Sequence, residues 1–407
     1  MPSGSAQPGG LDRPLIGGES SPALSAAEGT NLSAEAIHRT ETVIIGAGPA
    51  GLAVGACLRR GGRSFEVLER DAHVASSWRR HYDRLHLHTD KQNSGLPFRP
   101  FSRSTPRYPS REDVIEYLER YARELSVEPR FSSEVTSARR EGNEWVVATR
   151  GPTYRSRFLV VASGNTREPV RPVFSGQSAY RGEVLHSSEY RNGERFRGKQ
   201  VLVVGFGNSG GEIAIDLHEH GASPSLAVRG PVNVIPRELL GIPILSIAIA
   251  MGVLPPRVAD ALSAPLLRLA LGDLRKLGLQ PLPVGPGVQV RTRGRIPLID
   301  VGTIGLIRDG KVRLRPGVSD FTAEGVRFSD GSEGSFDAVV LATGYRPRVS
   351  AFLEAPGELD ASGAPTASGR EHGPGLFFCG FHVSPTGMLR EIGIEAQRIG
   401  AAIAAHA

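Results

Sequence analysis

The stretch that decides the fold is TVIIGAGPAG at residues 42–51. Its apolar start, 42–45, predicts a buried parallel strand, and the glycines that follow predict a tight turn into a helix at 52–58. A second apolar run, 64–68, predicts the next strand, and Glu69 closes it about 20 residues after the glycines. Together these features are typical of a dinucleotide-binding βαβ unit.

Each residue type in this pattern has a physical task. Gly46 permits the tight turn, Gly48 lets the backbone approach a pyrophosphate, and Gly51 lets the helix pack against the strand. Free N–H groups at the helix N-terminus attract phosphate, and the carboxylate of Glu69 accepts hydrogen bonds from ribose hydroxyls. The predicted dinucleotide contacts of this unit are Gly46, Gly48, Pro49, Ala50, Gly51 and Glu69.

The same pattern recurs later in the chain with one informative change. An apolar run at 201–204 leads into GFGNSG at 205–210, and the following strand, 226–228, ends in Arg229 instead of an acid. A guanidinium suits a 2′-phosphate, which a carboxylate would repel, so the first unit fits FAD and the second fits NADPH. A solvated surface arginine is the alternative interpretation of this residue. The predicted NADPH contacts are Gly205, Gly207, Asn208, Ser209, Gly210 and Arg229.

Both units close alike, because apolar strands predicted at 158–162 and 336–342 each end in a small residue and a glycine. The predicted fold class is therefore α/β, with two Rossmann-type dinucleotide-binding domains, the NADPH domain being inserted in the FAD domain. The predicted boundaries are a disordered leader at 1–38, the FAD domain at 39–165 and 346–407, and the NADPH domain at 166–345 with an apolar substrate-side insert at 231–297.

Three further elements are expected near the flavin. A strand predicted at 131–137 would offer a backbone contact to adenine. The last strand of the FAD unit is predicted at 375–381, and a closing helix at 387–403 would direct its N-terminus at the flavin and stabilise negative charge on the reduced ring. The predicted contacts from these elements are Val135, Gly380, Gly387 and Met388.

Composition excludes several other classes of protein. The net charge of +6 comes mostly from arginines scattered along the chain, so no cationic block indicates nucleic-acid binding. Residues 1–38 are rich in Gly, Ser, Pro and Ala and lack the marks of a targeting signal. The two cysteines form no metal pattern and fit a reducing, cytoplasmic location.

One apolar stretch, 239–254, has two interpretations. It is shorter than the roughly 18 apolar residues of a transmembrane helix, and Pro243 and Gly252 interrupt it. It is predicted to be buried or to line a pocket, and a shallow membrane-contact patch is the alternative.

Two dinucleotides on one chain imply hydride transfer from nicotinamide to flavin. A disulfide reductase would also need a pair of redox cysteines beside the flavin. Cys57 and Cys379 cannot form a C-x-x-C pair, so this branch is set aside. Molecular oxygen is the remaining obvious electron acceptor.

The segment before the second glycine turn resembles a known signature. YRGEVLHSSEY at 180–190 resembles the FxGxxxHxxx(Y/F) signature of class B flavin monooxygenases, with Tyr replacing the first Phe. Its signature residues are Tyr180, Gly182, His186 and Tyr190. From about residue 40 to its end, the chain most resembles the YUCCA-type members of that class. The supporting segments are 77–78, 82–88, 91–92, 96–97, 235–238, 297–303 and 342–345.

The resemblance implies a reaction. NADPH would reduce FAD, oxygen would add at flavin C4a to give a (hydro)peroxide, and this would oxygenate a small organic substrate in a dry pocket. Plant YUCCA enzymes oxidatively decarboxylate indole-3-pyruvate to indole-3-acetate. The resemblance therefore implies oxygenation of an aryl 2-oxo acid or a related carbonyl compound.

The resemblance also implies flavin contacts. Ser77 and Trp78 match a flavin-contacting pair, while His88 and Thr89 stand where animal-type members carry Asn-Ser. We hypothesise that His88 or Gln92 forms a hydrogen bond near flavin N5 or C4a. A strand residue without catalytic duty is the alternative for this histidine. The predicted catalytic residues are His88, Gln92 and Asn93.

Two other functions stay open at the level of sequence. One is an N- or S-oxygenase of the same class in specialised biosynthesis, and the other is an NADPH oxidase or flavin redox sensor. A closed pocket formed by the insert, 231–297, would indicate a substrate, whereas a flat surface would favour a sensor. The predicted partners are a small molecule and O2, with no nucleic acid and no stable membrane anchor. Either a monomer or a homodimer is compatible with the sequence.

Overall fold

The computed structural model describes residues 37–406. The predicted leader, 1–38, therefore lies outside the described residues except for Ile37 and His38, which begin the first strand. The α-helices of this range are α1 (Pro49–Arg60), α2 (Ser76–Arg80), α3 (Arg111–Glu124), α4 (Asn208–Glu219), α5 (Ile244–Ala250), α6 (Pro256–Leu271), α7 (Pro286–Arg293), α8 (Thr303–Arg308) and α9 (Met388–Ala405).

The strands of the same range alternate with these helices for much of the chain. They are β1 (Ile37–Ile45), β2 (Phe65–Leu68), β3 (Pro129–Arg130), β4 (Val135–Glu141), β5 (Glu144–Thr149), β6 (Thr153–Val161), β7 (Glu168–Pro169), β8 (Glu183–His186), β9 (Gln200–Val204), β10 (Ser223–Val228), β11 (Val234–Pro236), β12 (Glu238–Leu239), β13 (Ile242–Pro243), β14 (Leu298–Asp300), β15 (Arg313–Pro316), β16 (Val318–Phe321), β17 (Gly325–Phe328), β18 (Glu333–Ser335), β19 (Ala338–Leu341), β20 (Tyr345–Arg346), β21 (Glu371–His372) and β22 (Leu376–Phe378).

The first sheet is built around the first glycine-rich stretch. Its order is β21-β22-β6-β1-β2-β3, and β1 pairs in parallel with both β2 and β6. Ile44 lies opposite Val67 on one side and Val160 on the other, and all three side chains are fully buried. Helices α1 and α9 cover this core, as the continuous apolar strands require.

A second sheet has a similar arrangement, and all of its strands fall between β6 and β21 along the chain. Its order is β15-β10-β9-β19-β8, and every neighbouring pair is parallel. The first sheet is parallel from β22 to β3 and antiparallel at its other pairs, and a glycine turn and a helix follow β1 and β9. These features confirm the predicted α/β class with Rossmann-type units.

One predicted strand, 131–137, is wrong in its first half, because β4 begins only at Val135. Ser132 adopts a left-handed φ of +53°, which interrupts an extended strand. The amide of Ser132 donates to Asp71 O, and that of Ser133 donates to Glu69 O. Contacts with the loop after β2 therefore replace the ladder at this point.

The insert, 231–297, forms a small helical layer rather than a third sheet. Its ends meet where β11 pairs in parallel with β14, and β12 and β13 form a hairpin before α5. The Asp260 carboxylate in α6 accepts hydrogen bonds from the amides of Gly287 and Val288, which joins α6 to the start of α7. Among residues 37–406, no helix is both long and apolar enough to traverse a bilayer.

Candidate active site

The first glycine turn joins β1 to α1 and leaves clear space beside its middle glycine. Gly46 has a φ of +107°, which side chains rarely adopt. A Cβ on Gly51 would lie 1.8 Å from the Gly46 carbonyl oxygen, whereas a Cβ on Gly48 would meet no atom within 4 Å. Packing therefore fixes the turn and leaves room beside Gly48 for a phosphate.

Glu69, at the end of β2, ties this turn to the following loop. The carboxylate accepts hydrogen bonds from the amide of Ala47 at 2.7 Å and from that of Asp71 at 3.0 Å. Burial raises the pKa of this carboxyl, and the two backbone N–H groups oppose that rise. The residue is 8% exposed, and it borders the groove described next.

A groove, called here the first groove, follows the glycine turn and the carboxyl ends of β1, β2 and β6. The Ser163 hydroxyl in this groove is buried without a hydrogen-bond partner within residues 37–406. Arg167 forms no ion pair within that range. Its pKa is lowered, mainly by burial and to a smaller extent by the positive charge of Arg70. An unpaired hydroxyl and an unpaired guanidinium fit an anionic dinucleotide. The predicted contacts that line the groove are Gly46, Gly48, Pro49, Ala50, Glu69, Ser77, Val135 and Gly380.

Six predicted FAD contacts lie outside the groove lining. Of these, His88, Thr89 and Gly387 line the second cavity described below, and Met388 follows Gly387. Gly51 lies beneath the turn, where it packs against Gly46. Trp78, in α2, packs against the core of the first sheet. Their prediction as direct flavin contacts stays a prediction.

The second glycine turn, between β9 and α4, has the same construction. Gly205 has a φ of +121°, a Cβ on Gly210 would lie 2.1 Å from the Gly205 oxygen, and one on Gly207 would meet nothing within 4 Å. The Asn208 side chain is engaged by the protein itself, since it accepts a hydrogen bond from the amide of Ile299 at 2.8 Å. This contact holds β14 against the start of α4.

The residues that would select the nucleotide flank this turn. Arg229 is exposed, and it forms no ion pair within the described range 37–406. Its stem packs over Gly317, where a Cβ would crowd the stem at 3.2 Å. Ser209 bonds instead to the buried Tyr82 hydroxyl of the first unit. The free guanidinium of Arg229 fits the 2′-phosphate of an NADP-type nucleotide.

A buried contact links the second turn to His88. The Nε2–H group of His88 donates to the Glu212 carboxylate in α4 at 2.6 Å, and the two side chains are 10% and 4% exposed. Arg84 lies 3.6 Å from the same carboxylate. Within residues 37–406 the Nδ1 atom of His88 makes no hydrogen bond, while the side chain lines the second cavity. The pair therefore fixes the imidazole at the wall of that cavity and leaves its Nδ1 atom available to a ligand.

The other residues of this loop are placed differently. Thr89 lines the same cavity and bonds to the Ser94 hydroxyl at 2.8 Å. Asn93 donates to both Asp90 carboxylate oxygens and to Ser246 in α5, so it tethers the loop to the insert. Gln92 is exposed and lines neither the first groove nor this cavity. Its catalytic role stays a prediction, as do the roles of His88 and Asn93.

The second cavity has a volume of about 390 Å³ and mostly apolar walls. That volume suits a small organic molecule. The insert contributes most of the walls, chiefly through Leu245, Met251 and Val290, and His88 and Gly387 complete them. Half of the residues in the apolar stretch 239–254 therefore line a pocket, as its first interpretation predicted, whereas Leu240, Ile242 and Val253 are exposed.

Helix α9 connects the first groove to this cavity. Ile392 lines the groove, whereas Gly387, which precedes Met388 at the start of α9, lines the cavity. A Cβ on Gly387 would crowd Thr89 and Leu245 at 3.3 Å. A ligand that extends along the groove toward the helix N-terminus would therefore reach the cavity.

The signature residues before the second sheet are structural. His186 is fully buried, its Nδ1 accepts from the Ser188 amide, and its Nε2–H donates to Gly344 O at 3.1 Å. Burial lowers the pKa of this histidine, which fits its neutral form. The Tyr180 hydroxyl donates to Phe336 O, and a Cβ on Gly182 would collide with Tyr180.

Tyr190 completes the signature in the same structural way, since its hydroxyl donates to the Asp216 carboxylate at 2.6 Å. The signature therefore fixes β8 and the return of the chain after β19.

The cysteines do not form a redox site. Burial raises the pKa of Cys57 to about 11, and burial also raises that of Cys379 well above its ordinary value. Both are free thiols, and neither is a thiolate at neutral pH.

Sequence reasoning missed three residues of the site: Glu212, Arg167 and Glu395. The Glu395 carboxylate in α9 accepts hydrogen bonds from the Gly380 amide and the Ser368 hydroxyl. Only Glu212 carried a usable signal, because a carboxylate among the apolar, buried residues of α4 needs a charged or hydrogen-bonding partner. The other two depend on contacts between distant segments.

Comparison with known proteins agrees with this geometry. The family model described as "Pyridine nucleotide-disulphide oxidoreductase" matches residues 43–236. A flavin-containing monooxygenase from Stenotrophomonas maltophilia has a TM-score of 0.69 at 23% identity and covers 91% of this chain and 99% of its own. A steroid monooxygenase structure with bound NADP has a TM-score of 0.72 at 19% identity, covering 90% and 85%. These structures share the fold.

Fold and site define a flavoprotein oxidoreductase with two dinucleotide sites, of the flavin monooxygenase class. An indole-3-pyruvate monooxygenase of Oryza sativa subsp. japonica, YUCCA4, is 44% identical over 331 residues, 77% of this chain and 75% of that protein. The probable indole-3-pyruvate monooxygenase YUCCA7 of Arabidopsis thaliana is 41% identical over 354 residues, covering 83% and 82%. The chain belongs to the YUCCA family of flavin-dependent monooxygenases.

Proposed function

We propose that the protein binds FAD in the first groove and NADPH at the second glycine turn, and that it oxygenates an aryl 2-oxo acid. The cavity of about 390 Å³ beside His88 and the start of α9 is the observation that carries this proposal. An apolar cavity of this size, in place of a flat surface, supports a monooxygenase over an oxidase or a sensor. Bound flavin, once reduced by the nicotinamide, supplies the activation of O2.

The balanced reaction needs little proton transfer from the protein. The 2-oxo acid, O2, NADPH and a proton would give the acid shortened by one carbon, CO2, NADP⁺ and water. The residues of the chain would bind and orient the reactants and exclude water. His88, held by Glu212, would present its Nδ1 side to the substrate, and the apolar walls of the insert would enclose an aryl group.

The same proposal includes the arrangement of the units. The FAD domain would consist of 39–165 and 346–407, and the NADPH domain, 166–345, would be inserted in it with the substrate-side insert at 231–297. The strand order supports this arrangement, since the second sheet uses only strands that fall between β6 and β21. Two free cysteines support a cytoplasmic location.

The test is turnover with NADPH under ¹⁸O2, with phenylpyruvate and indole-3-pyruvate as substrates. We expect the arylacetate to carry one ¹⁸O atom in its carboxylate, with CO2 released in equal amount. A tertiary amine and a thioether serve as comparison substrates. Preferential oxygenation of either would replace the proposal by an N- or S-oxygenase. Oxidation of NADPH that yields only hydrogen peroxide with every substrate would indicate an oxidase.

A further inference from the structure

Exposed apolar side chains are concentrated in one part of the surface. Within residues 37–406, seven of the ten large apolar side chains that are exposed belong to the insert. Val253 and Leu269 are 88% and 81% exposed, and neither lines the cavity. Exposed apolar patches of this kind mark an interaction surface. The seven are Leu240, Ile242, Val253, Val258, Leu262, Leu266 and Leu269.

Helix α6 explains why this surface is unusual. At 100° per residue, Val258, Leu262, Leu266 and Leu269 lie within one stripe about 80° wide. The adjoining side of the helix also carries apolar residues, Ala259 and Leu267, and it lines the cavity. Of the 16 residues in α6, only Leu271 is buried. A helix that is apolar on both sides requires a cover on its outer side.

The same segment has a surplus of positive charge. The insert has eight Lys and Arg residues against three acids, a surplus of five, while the whole chain has a net charge of +6. Arg257 and Arg268 lie at about the same angle on α6, on one flank of the apolar stripe. The exposed cations of the insert are Arg257, Arg268, Arg275, Lys276, Arg291, Arg293 and Arg295.

These cations are unpaired, whereas the acids are engaged. None of the eight forms an ion pair within the described part of the chain, although arginine ion pairs are frequent elsewhere on the surface. Glu238 pairs with Arg107 outside the insert, and Asp260 accepts two amides of α7. Asp273 accepts from the amide of Arg275. The surface therefore presents an apolar stripe bordered by free positive charge.

We propose that this surface binds reversibly to an anionic lipid bilayer, with the outer side of α6 at the headgroup boundary. Apolar side chains would enter the interface, and the free cations would meet lipid phosphates. A second copy of the chain fits less well, because a symmetric contact would bring the positive surplus of both copies together. Leu262 and Leu266 belong to both the stripe and the cavity wall, so the cavity would open toward the lipid.

The test is co-sedimentation of the full-length, FAD-loaded protein with vesicles. One vesicle set contains only phosphatidylcholine, and the other also contains phosphatidylglycerol. We expect binding to the anionic set that is lost at high salt. Arg257→Gln with Arg268→Gln should weaken it about thirtyfold, since each interfacial cation contributes about 1 kcal/mol. Val253→Ser with Leu269→Ser should weaken it about tenfold or more.

A matched control keeps the test specific. Val173→Ser with Arg197→Gln changes an exposed apolar residue and an exposed cation outside the insert, and its binding should equal that of the wild type. Absence of binding to anionic vesicles would overturn the proposal, as would equal binding by all variants. A dimer that the α6 variants dissociate would assign the surface to self-association instead. No readout here needs a substrate, so the proposed function is tested separately.

Discussion

At the scale of single residues, the carboxylate of Glu212 belongs to the second glycine turn but acts on a histidine of the first unit. We expect His88→Ala to oxidise NADPH but to form about tenfold less oxygenated product per NADPH consumed, with hydrogen peroxide formed instead. The substitution removes the imidazole that Glu212 holds at the cavity wall through a charge-assisted hydrogen bond, an interaction that contributes about 1.5–3 kcal/mol. Product and peroxide are measured together against NADPH consumed.

The control for this prediction is a pair of substitutions at the partner. Glu212→Gln keeps an oxygen that accepts from His88 Nε2–H, so it should retain more coupling than Glu212→Ala, which removes that acceptor. Glu212 is a positioning residue in this account. Equal peroxide yields from wild type, His88→Ala and Glu212→Ala would contradict it.

Arg229 carries the second prediction at this scale. Its guanidinium is exposed and unpaired within residues 37–406, so it is available to a 2′-phosphate. We expect Arg229→Ala to raise the KM for NADPH about tenfold or more and to leave the KM for NADH nearly unchanged. Steady-state kinetics with both nucleotides measures this. A parallel rise for NADH would show that the arginine supports the fold and does not select the nucleotide.

At the scale of elements, the two glycine turns offer matched substitutions. A Cβ on Gly48 or Gly207 meets no protein atom within 4 Å, so either alanine variant should fold normally. We expect Gly48→Ala to lose bound FAD and Gly207→Ala to keep FAD but bind NADP⁺ at least tenfold more weakly. Flavin absorbance and NADP⁺ titration measure the two effects. A yellow Gly48→Ala protein with full FAD content would contradict the assignment of the first groove.

The Glu395 carboxyl in α9, which bonds to the chain just after β22, makes the stability of the fold depend on pH. Burial raises the pKa of this carboxyl above its ordinary value of 4.5, with opposition from its hydrogen bonds to Gly380 and Ser368. The folded state thus favours the protonated acid. The stability from this group is complete below about pH 4.5 and is lost as the pH rises through the raised pKa.

Glu395→Gln removes this titration. We therefore expect the melting temperature of the variant, relative to the wild type, to increase from pH 4.5 to neutral pH. Thermal unfolding at a series of pH values measures the difference. A difference independent of pH would show that the carboxyl does not titrate with folding.

Local sequence predicts elements well where a single pattern determines them. Short motifs predict the two glycine turns, the strand ends at Glu69 and Arg229, and the helix that begins after Gly387. Helix α1 begins at Pro49, three residues before the predicted start, because proline suits the first helical position. The strand predicted at 131–137 failed because contacts from Asp71 and Glu69 compete with the ladder, and such contacts have no local signal.

At the scale of the whole molecule, composition and repetition predicted two nucleotide-binding units, but the shape of the insert could not be predicted. Its three helices take their positions from tertiary contacts, such as that of Asp260 with the start of α7. The cavity and the His88–Glu212 pair also arise only when distant segments meet. Motifs therefore predicted the cofactor chemistry, while the substrate side required the fold.

Cofactor binding should be visible in global stability. A ligand that binds only the folded state at 100 times its Kd adds about 2.7 kcal/mol. We expect removal of FAD to lower the melting temperature by several degrees, and NADP⁺ to restore part of it in the wild type but not in Gly207→Ala. Differential scanning fluorimetry measures this. An unchanged melting temperature without FAD would contradict binding at the first groove.

The chain crosses between the two sheets twice, and the crossings are bonded to each other. Strands β7 and β20 pair antiparallel, and Arg348 adds an ion pair to Glu168 across them. The pairing and the ion pair couple the two crossings, so we expect them to bend together. A motion that brings the nicotinamide of NADPH closer to the flavin ring would then bend both crossings at once. The stiffness of the paired crossings would therefore limit how often the two rings meet.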